Sequence, residues 1–249
     1  MNTLAILAYH KIGDPPPDGW HTWNYVTAEA FENQLRYLKE NSWDVISSDQ
    51  FLEILSDPAT VTSKAVLITF DDGYRSNLRV ALPILKKFSY PAIIFVPTKF
   101  VGKYNSFDAD IFYEPKEFIC TWEELRELER NNISVQSHGS THQHFSKLSA
   151  AEKLSEVNKS KYLIEKNLNK KVDYFSFPYG DEGEDHKETE GILEGAGYKA
   201  AFLYGGPPIR FPIKSKFRLT RVPIGADTDL EEVLADPIND PGTGLNPNF

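Results

Sequence analysis

Two groups of polar residues, far apart in the chain, have the residue types and spacing of a catalytic metal site. The first is Asp71-Asp72, which follows an apolar run and precedes Gly73. Adjacent carboxylates repel each other unless a metal ion binds one and leaves the other free as a base. The second group is His138 and His142, whose i, i+4 spacing allows both imidazoles to bind one ion. One Asp and two His would give three protein ligands and leave positions open for water.

Each group also has an ordinary structural interpretation. Asp-Gly is a frequent turn pair, so Asp71-Asp72 could simply end a strand in a turn. His138 and His142 could be a pair of surface side chains. Because both groups occur in one chain, we favour the metal site over either interpretation.

The composition is typical of a soluble globular protein and excludes several other classes. Apolar residues make up 41% of the 249 residues and charged residues 25%. The net charge of −9, without any basic cluster, argues against a nucleic-acid partner. The single cysteine, Cys120, excludes an internal disulfide and a cysteine-based zinc site.

The sequence carries no recognisable targeting or membrane segment. No run has the length of a transmembrane helix, and the start of the chain lacks the basic region of a signal peptide. We therefore expect a cytoplasmic location, or an extracytoplasmic one if a leader precedes this sequence. Residues 236–249 are rich in Pro, Gly and Asn, which predicts a loosely ordered tail.

Strand-like runs alternate with helical patterns along most of the chain. Apolar runs predict strands at residues 4–9, 43–46, 65–70, 92–96, 134–136, 174–177, 200–204 and 221–224. Periodic apolar residues predict helices around residues 31–38, 51–55, 81–88, 121–130, 152–168 and 188–196. This alternation is typical of a parallel α/β architecture. His10, Asp71, Asp72, His138 and Tyr179 all follow predicted strands, and convergence of so many strand ends on one site favours a barrel.

Together these motifs resemble the polysaccharide deacetylases, carbohydrate esterase family 4, which contain a NodB homology domain. Residues 69–73 match the first motif of that family at every position, and His138 and His142 match both histidines of its His-Ser/Thr-x-x-His motif. Residues 177–180, Phe-Pro-Tyr-Gly, resemble the end of its Arg-x-Pro-Phe/Tyr motif. The start, Tyr9-His10, is similar to the poly-N-acetylglucosamine deacetylases, a branch with a circularly permuted barrel. The resemblance extends from about residue 4 to about residue 234.

The resemblance implies a fold and a metal ion. It implies a distorted (β/α)7 barrel, here a single domain over residues 1–235, and a divalent cation. Carried over residue by residue, Asp72, His138 and His142 are the expected ligands and Asp71 is the expected general base. Zn²⁺ suits two imidazoles and a carboxylate, and Co²⁺, Ni²⁺ or Fe²⁺ suit them as well.

The resemblance also implies the remaining roles at the site. Tyr179 would offer its backbone N–H to the oxyanion, and His10 would be the acid that protonates the leaving amine. We expect Pro178, Trp20 and Trp23 to contact the substrate, the tryptophans by stacking on sugar rings. Packing of the same aromatic side chains under a loop is the alternative.

The sequence departs from the family pattern at three places. Gly139 stands where the second motif has Ser or Thr, so a supporting hydrogen bond is either missing or supplied by residues 140–141. Ser176 stands where many relatives have an Arg that holds the base, and Arg221 is a candidate substitute. The usual C-terminal Leu-x-His is absent, which favours His10 as the acid.

These observations predict a metal-dependent deacetylase that acts on N-acetylated amino sugars of a polysaccharide, with poly-N-acetylglucosamine as the expected substrate. A metal-dependent hydrolase of another non-peptide C–N bond is one alternative, and a catalytically inactive carbohydrate-binding relative is another. A two-histidine, one-carboxylate iron oxygenase fits less well, because the second carboxylate would have no role.

Overall fold

A nine-stranded sheet organises the fold in the computed structural model, which describes residues 3–62 and 64–234. The strands are β1 (Thr3–Tyr9), β2 (Lys11–Ile12), β3 (Tyr25–Val26), β4 (Asp44–Val45), β5 (Lys64–Phe70), β6 (Ala92–Val96), β7 (Ile133–Ser137), β8 (Tyr174–Ser176), β9 (Ala200–Phe202), β10 (Ile209–Arg210) and β11 (Val222–Pro223). The helices are α1 (Ala28–Glu40), α2 (Ser48–Ser56), α3 (Leu82–Phe88), α4 (Ser106–Ala109), α5 (Trp122–Arg130), α6 (Ala150–Leu168), α7 (His186–Gly195) and α8 (Leu230–Leu234). Strands β2 and β3 form a separate small sheet.

Parallel pairing curls the large sheet into a barrel. Strands β1, β5, β6, β7, β8 and β9 follow one another in parallel, and β11 pairs in parallel with β1. Just before β11, Leu219 N–H donates to Ala201 O (3.0 Å) and Leu203 N–H donates to Leu219 O (2.9 Å), which joins this segment to β9. These seven parallel positions confirm the predicted (β/α)7 barrel. The distortion lies at β10, which joins β1 in antiparallel pairing.

Capped amphipathic helices surround the barrel. Helix α1 begins after Thr27, whose side chain accepts a backbone N–H, and it buries Phe31, Leu35 and Leu38. Helices α5 and α6 begin with capping boxes, in which a Thr or Ser and a Glu three residues later satisfy each other's backbone N–H groups. These local signals explain why the sequence predicts the helix positions well.

Alternate residues of the parallel strands face two different apolar layers, as expected for strands that are covered on both faces. One set packs against helices α1, α3, α5 and α6. The other set fills the barrel interior together with Phe51 of α2; it comprises Leu4, Ile6, Ala65, Leu67, Ile93, Phe95, Tyr174, Ala200, Phe202 and Leu219. Apolar residues therefore fix the inward register of β1, β5, β6, β8 and β9.

Some expectations concern the ends of the chain and its loops. Among the described residues, no helix combines the length and apolar character needed to cross a membrane. The predicted tail at residues 236–249 lies outside the described residues. The segment at residues 97–120 contains the short helix α4 and crosses the barrel mouth beside the site described next.

Candidate metal centre and active site

The inward rows of the barrel change from apolar to polar at its C-terminal mouth. The next inward-facing residue after β1 is His10, after β5 it is Asp71, and after β7 it is His138. The row of β8 reaches Ser176, and the segment before β11 contributes Arg221. The register that fills the core therefore also aims these side chains at one place.

Three residues form a buried cluster at this mouth, which we call the Asp-His-His cluster: Asp72, His138 and His142. Their ligand atoms all lie within 4.8 Å of one another. Asp72 Oδ1 is 3.0 Å from His142 Nε2 and 3.4 Å from His138 Nε2. All three side chains are almost completely buried. The structure thus brings the three predicted metal ligands together.

The donor set of this cluster fits a divalent cation. His138 Nδ1–H donates to Ser176 O (2.7 Å), so His138 Nε2 presents its lone pair to the carboxylate of Asp72. Two acceptors in contact require a cation or a proton between them. Asp72 Oδ1 is buried and accepts no hydrogen bond of good geometry within the described residues. An ion bound by two imidazole nitrogens and one carboxylate oxygen would satisfy all three groups.

The charges within the cluster oppose the effect of burial. Burial disfavours ionisation of Asp72, but the imidazoles of His142 and His138 outweigh it and hold the pKa of Asp72 well below its ordinary value. Burial likewise lowers the pKa of His138, but Asp71 and Asp72 outweigh it and raise that pKa. The imidazoles therefore stabilise the charge of Asp72, and the two carboxylates stabilise positive charge on His138.

Asp71 is held apart from its neighbour by a buried arginine. Arg221 Nη1 donates to Asp71 Oδ1 (2.8 Å) and Nη2 donates to Asp71 Oδ2 (2.7 Å), a bidentate pair in which Arg221 is fully buried. Although burial acts in the opposite direction, Arg221 lowers the pKa of Asp71. Arg221 Nη2 also donates to Ser176 Oγ (2.8 Å), so Arg221 contacts the carboxylate for which the sequence suggested it.

His10 lies at the end of β1, beside the two carboxylates. The residue is half-buried, and its Nδ1 is inaccessible and unpartnered within the described residues. Its ring packs edge-on against Tyr204, with centroids 5.3 Å apart. Burial lowers the pKa of His10, whereas the charges of Asp72 and Asp71 act to raise it, in keeping with its place at the barrel mouth.

The turn after β8 places Tyr179 over the cluster. Tyr179 follows Pro178 and has φ 59° and ψ 10°, a left-handed conformation that is uncommon for a bulky residue. Its ring lies edge-on to His142 at 4.7 Å and stacks on His144 at 4.1 Å. Gly180 N–H bonds within the turn, whereas Tyr179 N–H has no carbonyl acceptor in the described part of the chain. Strain at such a turn is typical of a functional site.

Sequence reasoning missed one wall of the site. Phe107 of α4 packs on His142 with ring centroids 4.1 Å apart, and Tyr179 OH donates to Asp108 Oδ1 (3.2 Å). Burial and the nearby charge of Asp72 raise the pKa of Asp108 to about 7. No motif marks this aspartate, because its partners come from other strand ends.

Trp20 and Trp23 are not part of this cluster. Both are exposed, and within the described residues neither makes a ring contact with the three cluster residues. Trp23 Nε1 donates to Asp227 Oδ1 (3.1 Å), and its ring covers Gly225. Their predicted contact with substrate stays a prediction.

Comparison with known proteins decides the family. The profile of the polysaccharide deacetylases matches residues 59–201, more than half of the chain. The chain belongs to the polysaccharide deacetylase family. The matched segment contains the Asp-His-His cluster and Asp71, whereas His10 and Arg221 lie outside it.

Several members of this family are similar over most of the chain. A Bacillus subtilis protein provisionally named polysaccharide deacetylase YxkH is 29% identical over 79% of this chain and 62% of its own length. A Staphylococcus aureus protein named poly-β-1,6-N-acetyl-D-glucosamine N-deacetylase is 30% identical over 72% of this chain and 61% of its own length. The chain therefore spans less than two thirds of these relatives.

A solved structure supports the fold. The Streptococcus pyogenes deacetylase PplD, determined in complex with acetate, superimposes with a TM-score of 0.77 at 23% identity, over 93% of this chain and 96% of that one. The shared architecture agrees with the barrel described above. Members of the family use a divalent metal, and the Asp-His-His cluster is a possible site for it in this chain.

Proposed function

We propose that this protein is a metal-dependent N-deacetylase that removes acetyl groups from N-acetylated amino sugars in a polysaccharide. The observation that carries the proposal is the pairing of a buried Asp-His-His cluster with a separate carboxylate, Asp71, held by Arg221. Family membership and the name of the Staphylococcus aureus relative support poly-β-1,6-N-acetylglucosamine as the substrate.

The cluster residues would hold the ion through one carboxylate oxygen and two Nε2 atoms. A bound divalent ion would supply Lewis acidity, which activates a water molecule and polarises the amide carbonyl. We propose Zn²⁺, because two imidazoles and a carboxylate with open positions suit it; Co²⁺, Ni²⁺ and Fe²⁺ fit the same ligands.

The proton transfers fall to Asp71 and His10. Asp71 takes the proton of the attacking water, and the bidentate contact with Arg221 keeps it anionic and oriented for this step. His10 then donates a proton to the nitrogen as the C–N bond breaks, so that acetate and a free amine leave. We expect the His10 imidazole to face the ion from within about 8 Å, a gap that accommodates the scissile amide.

Tyr179 and Pro178 would complete the site. The N–H of Tyr179, which has no carbonyl acceptor among the described residues, would donate to the oxyanion that develops on the acetyl carbonyl, and a donor of this kind is worth roughly 3 kcal/mol. The Tyr179 ring and Asp108, joined by a hydrogen bond, form one wall of the site. We propose that Pro178, Trp20 and Trp23 contact the glycan, with the tryptophans stacking on more distant sugar units.

Acetate release tests this function directly. N-acetylated β-1,6-linked glucosamine oligosaccharides are incubated with the purified protein, with chelator-treated protein, and with that protein after addition of Zn²⁺. We expect acetate and free amine to be released in equal amounts. Acetate release should stop after chelation and resume when Zn²⁺ is added. Release of ammonia without acetate would favour the other C–N hydrolase, and binding of oligosaccharide without turnover by metal-loaded protein would favour the inactive relative.

A further inference from the structure

A buried carboxylate from α6 binds the loop between the two histidines of the Asp-His-His cluster. Glu156 lies in α6 and is 8% exposed. Its Oε2 accepts the backbone N–H groups of Ser140 (2.8 Å) and Thr141 (2.7 Å). Its Oε1 accepts the hydroxyl of Thr141 (2.7 Å). Because hydrogen bonds to a carboxylate are about twice as strong as neutral ones, three of them fix this loop firmly.

The same loop is held from its other side by the backbone that follows β6. Thr98 N–H donates to Gly139 O (3.2 Å), and Lys99 N–H donates to Ser140 O (2.9 Å). The loop amides thus point to Glu156 while its carbonyls point to residues 98–99. Both polar edges of the loop are satisfied, and its path is defined between α6 and β6.

Glu156 also accounts for the glycine in the second motif. Gly139 has φ +72°, and a Cβ atom there would lie 3.1 Å from Glu156 Oε2. A side chain at this position would be strained and would crowd the carboxylate. Support for the loop comes from Glu156, to which Thr141 adds a hydroxyl, in place of a Ser or Thr at position 139.

The two histidines of the cluster depend on this loop to different degrees. His138 is oriented by its own side-chain bond to Ser176 O (2.7 Å). Nδ1 of His142 is buried and has no partner within the described residues, and the residue has φ 55°. The His142 imidazole is therefore placed by its backbone and by packing against Phe107 and Tyr179.

We propose that Glu156 is a positioning residue of the metal centre: by fixing residues 139–141, it holds the imidazole of His142 where it can bind the ion together with Asp72 and His138. This inference rests on the proposed function, because it takes the Asp-His-His cluster as the metal site. Mutation of residues that orient metal ligands typically lowers metal affinity or activity by roughly 10–100-fold.

The test compares two glutamates of the same helix. Glu156→Gln exchanges the carboxylate for an amide of similar size. Glu165→Gln is the matched control, because Glu165 Oε1 also accepts a backbone N–H, that of Val172 (3.1 Å), away from the loop. For the wild type and both variants, the measurements are Zn²⁺ affinity by competition with a chromophoric chelator, the absorption spectrum with Co²⁺, and the unfolding midpoint without metal.

We expect Glu156→Gln to weaken Zn²⁺ binding by roughly 10–100-fold and to change the Co²⁺ bands. Glu165→Gln should leave both unchanged, although each variant lowers the unfolding midpoint. If Glu156→Gln does not fold, Thr141→Val removes only the hydroxyl contact to Glu156 and should weaken Zn²⁺ binding by a smaller factor.

Two results would overturn the inference in different ways. Wild-type Zn²⁺ affinity and an unchanged Co²⁺ spectrum in Glu156→Gln, or in Thr141→Val when it is the variant available, would make Glu156 a residue of the fold alone. The proposed function would survive that result. A wild-type protein that binds no divalent metal would overturn the proposed function, and the inference with it.

Discussion

Two adjacent aspartates point to different partners because the chain turns between them. Asp71 continues the inward row of β5 and meets Arg221, whereas Asp72 has φ 67° and turns toward the imidazoles. Left-handed conformation at an Asp is tolerated where the surroundings fix it. The two carboxylates therefore remain separately ionised, one with an arginine and one with the histidines.

Substitution of each aspartate should separate their roles. Asp71→Asn should lower kcat by roughly 10²–10⁴-fold with nearly unchanged metal content, because the base is lost and the ligands remain. Asp72→Asn should weaken metal binding first, because one of three ligands is lost. Metal content is measured by atomic absorption, and kcat is measured from acetate release. Loss of metal in Asp71→Asn and retention of metal in Asp72→Asn would show that the two roles are exchanged.

His10 should behave as an acid that is not a ligand. His10→Ala should keep metal and fold but lower kcat by roughly 10²–10⁴-fold, because the leaving amine loses its proton donor. In the wild type kcat should fall as pH rises and His10 loses its proton, at a pH below the ordinary range for histidine because burial lowers its pKa. The pH profile of the alanine variant should lack this fall. Full activity in His10→Ala would leave the proton donor unidentified.

The sequence predicts the residues of the site that lie in compact motifs. Asp72, His138 and His142 are found from their spacing, and the cluster confirms that they meet. Asp108 and Glu156 escape prediction because their partners are brought to them only by the fold. A lone carboxylate in a loop or a long helix carries no local signal of such a contact.

At the scale of elements, the segment at residues 97–120 is clamped over the barrel mouth. Lys11 is almost fully buried and pairs with Glu114 at 2.7 Å, and its ammonium also lies over the rings of Tyr25 (4.8 Å) and Tyr74 (5.1 Å). Tyr25 OH donates to Glu117 (2.9 Å). These contacts tie the segment that carries α4 to β2 and β3, beside His10.

Removal of one partner of this pair should loosen the segment. Glu114→Ala leaves the buried Lys11 ammonium without its ion-pair partner, and we expect the free energy of unfolding to fall by roughly 3 kcal/mol. KM for oligosaccharide should rise more than kcat falls. Glu123→Ala, which removes an exposed pair with Arg126, is the control and should cost less than about 1 kcal/mol in urea denaturation. Equal effects of the two variants would contradict the clamp.

Element prediction succeeds where local signals are strong and fails where pairing is imposed from a distance. The capped helices α1, α5 and α6 lie where their patterns predict them. Strand β11 lies within the strand predicted at residues 221–224, whereas β10 has two residues and exists because β1 offers it an edge. Two residues are too few for a periodic pattern, so β10 has no signal in the sequence.

For the whole molecule, stability without metal should depend on pH through Asp108. The pKa of this carboxyl is about 7 in the folded protein, above its ordinary value, because of burial and the charge of Asp72. Lys11 and the hydroxyl of Tyr179 act to lower this pKa, and Glu114 raises it by a smaller amount. A raised carboxyl pKa contributes stability that is complete at low pH and is lost as pH rises through about 7.

Asp108→Asn should remove this contribution. The difference in unfolding midpoint between wild type and Asp108→Asn should therefore change in favour of the variant as pH rises from acid to neutral, in protein stripped of metal. Thermal unfolding monitored by circular dichroism across this range provides the measurement. A difference that does not change with pH would contradict the raised pKa of Asp108.

The central claim is that the barrel mouth holds one catalytic divalent ion, and a crystal structure of the Zn²⁺-loaded protein, with anomalous data collected at the zinc edge, tests it most directly. We predict one strong peak roughly 2.0–2.2 Å from Asp72, His138 Nε2 and His142 Nε2, with Asp71 outside the coordination sphere and still bound to Arg221. An absent peak, a peak bound elsewhere, or cluster side chains that turn away from it would contradict the account.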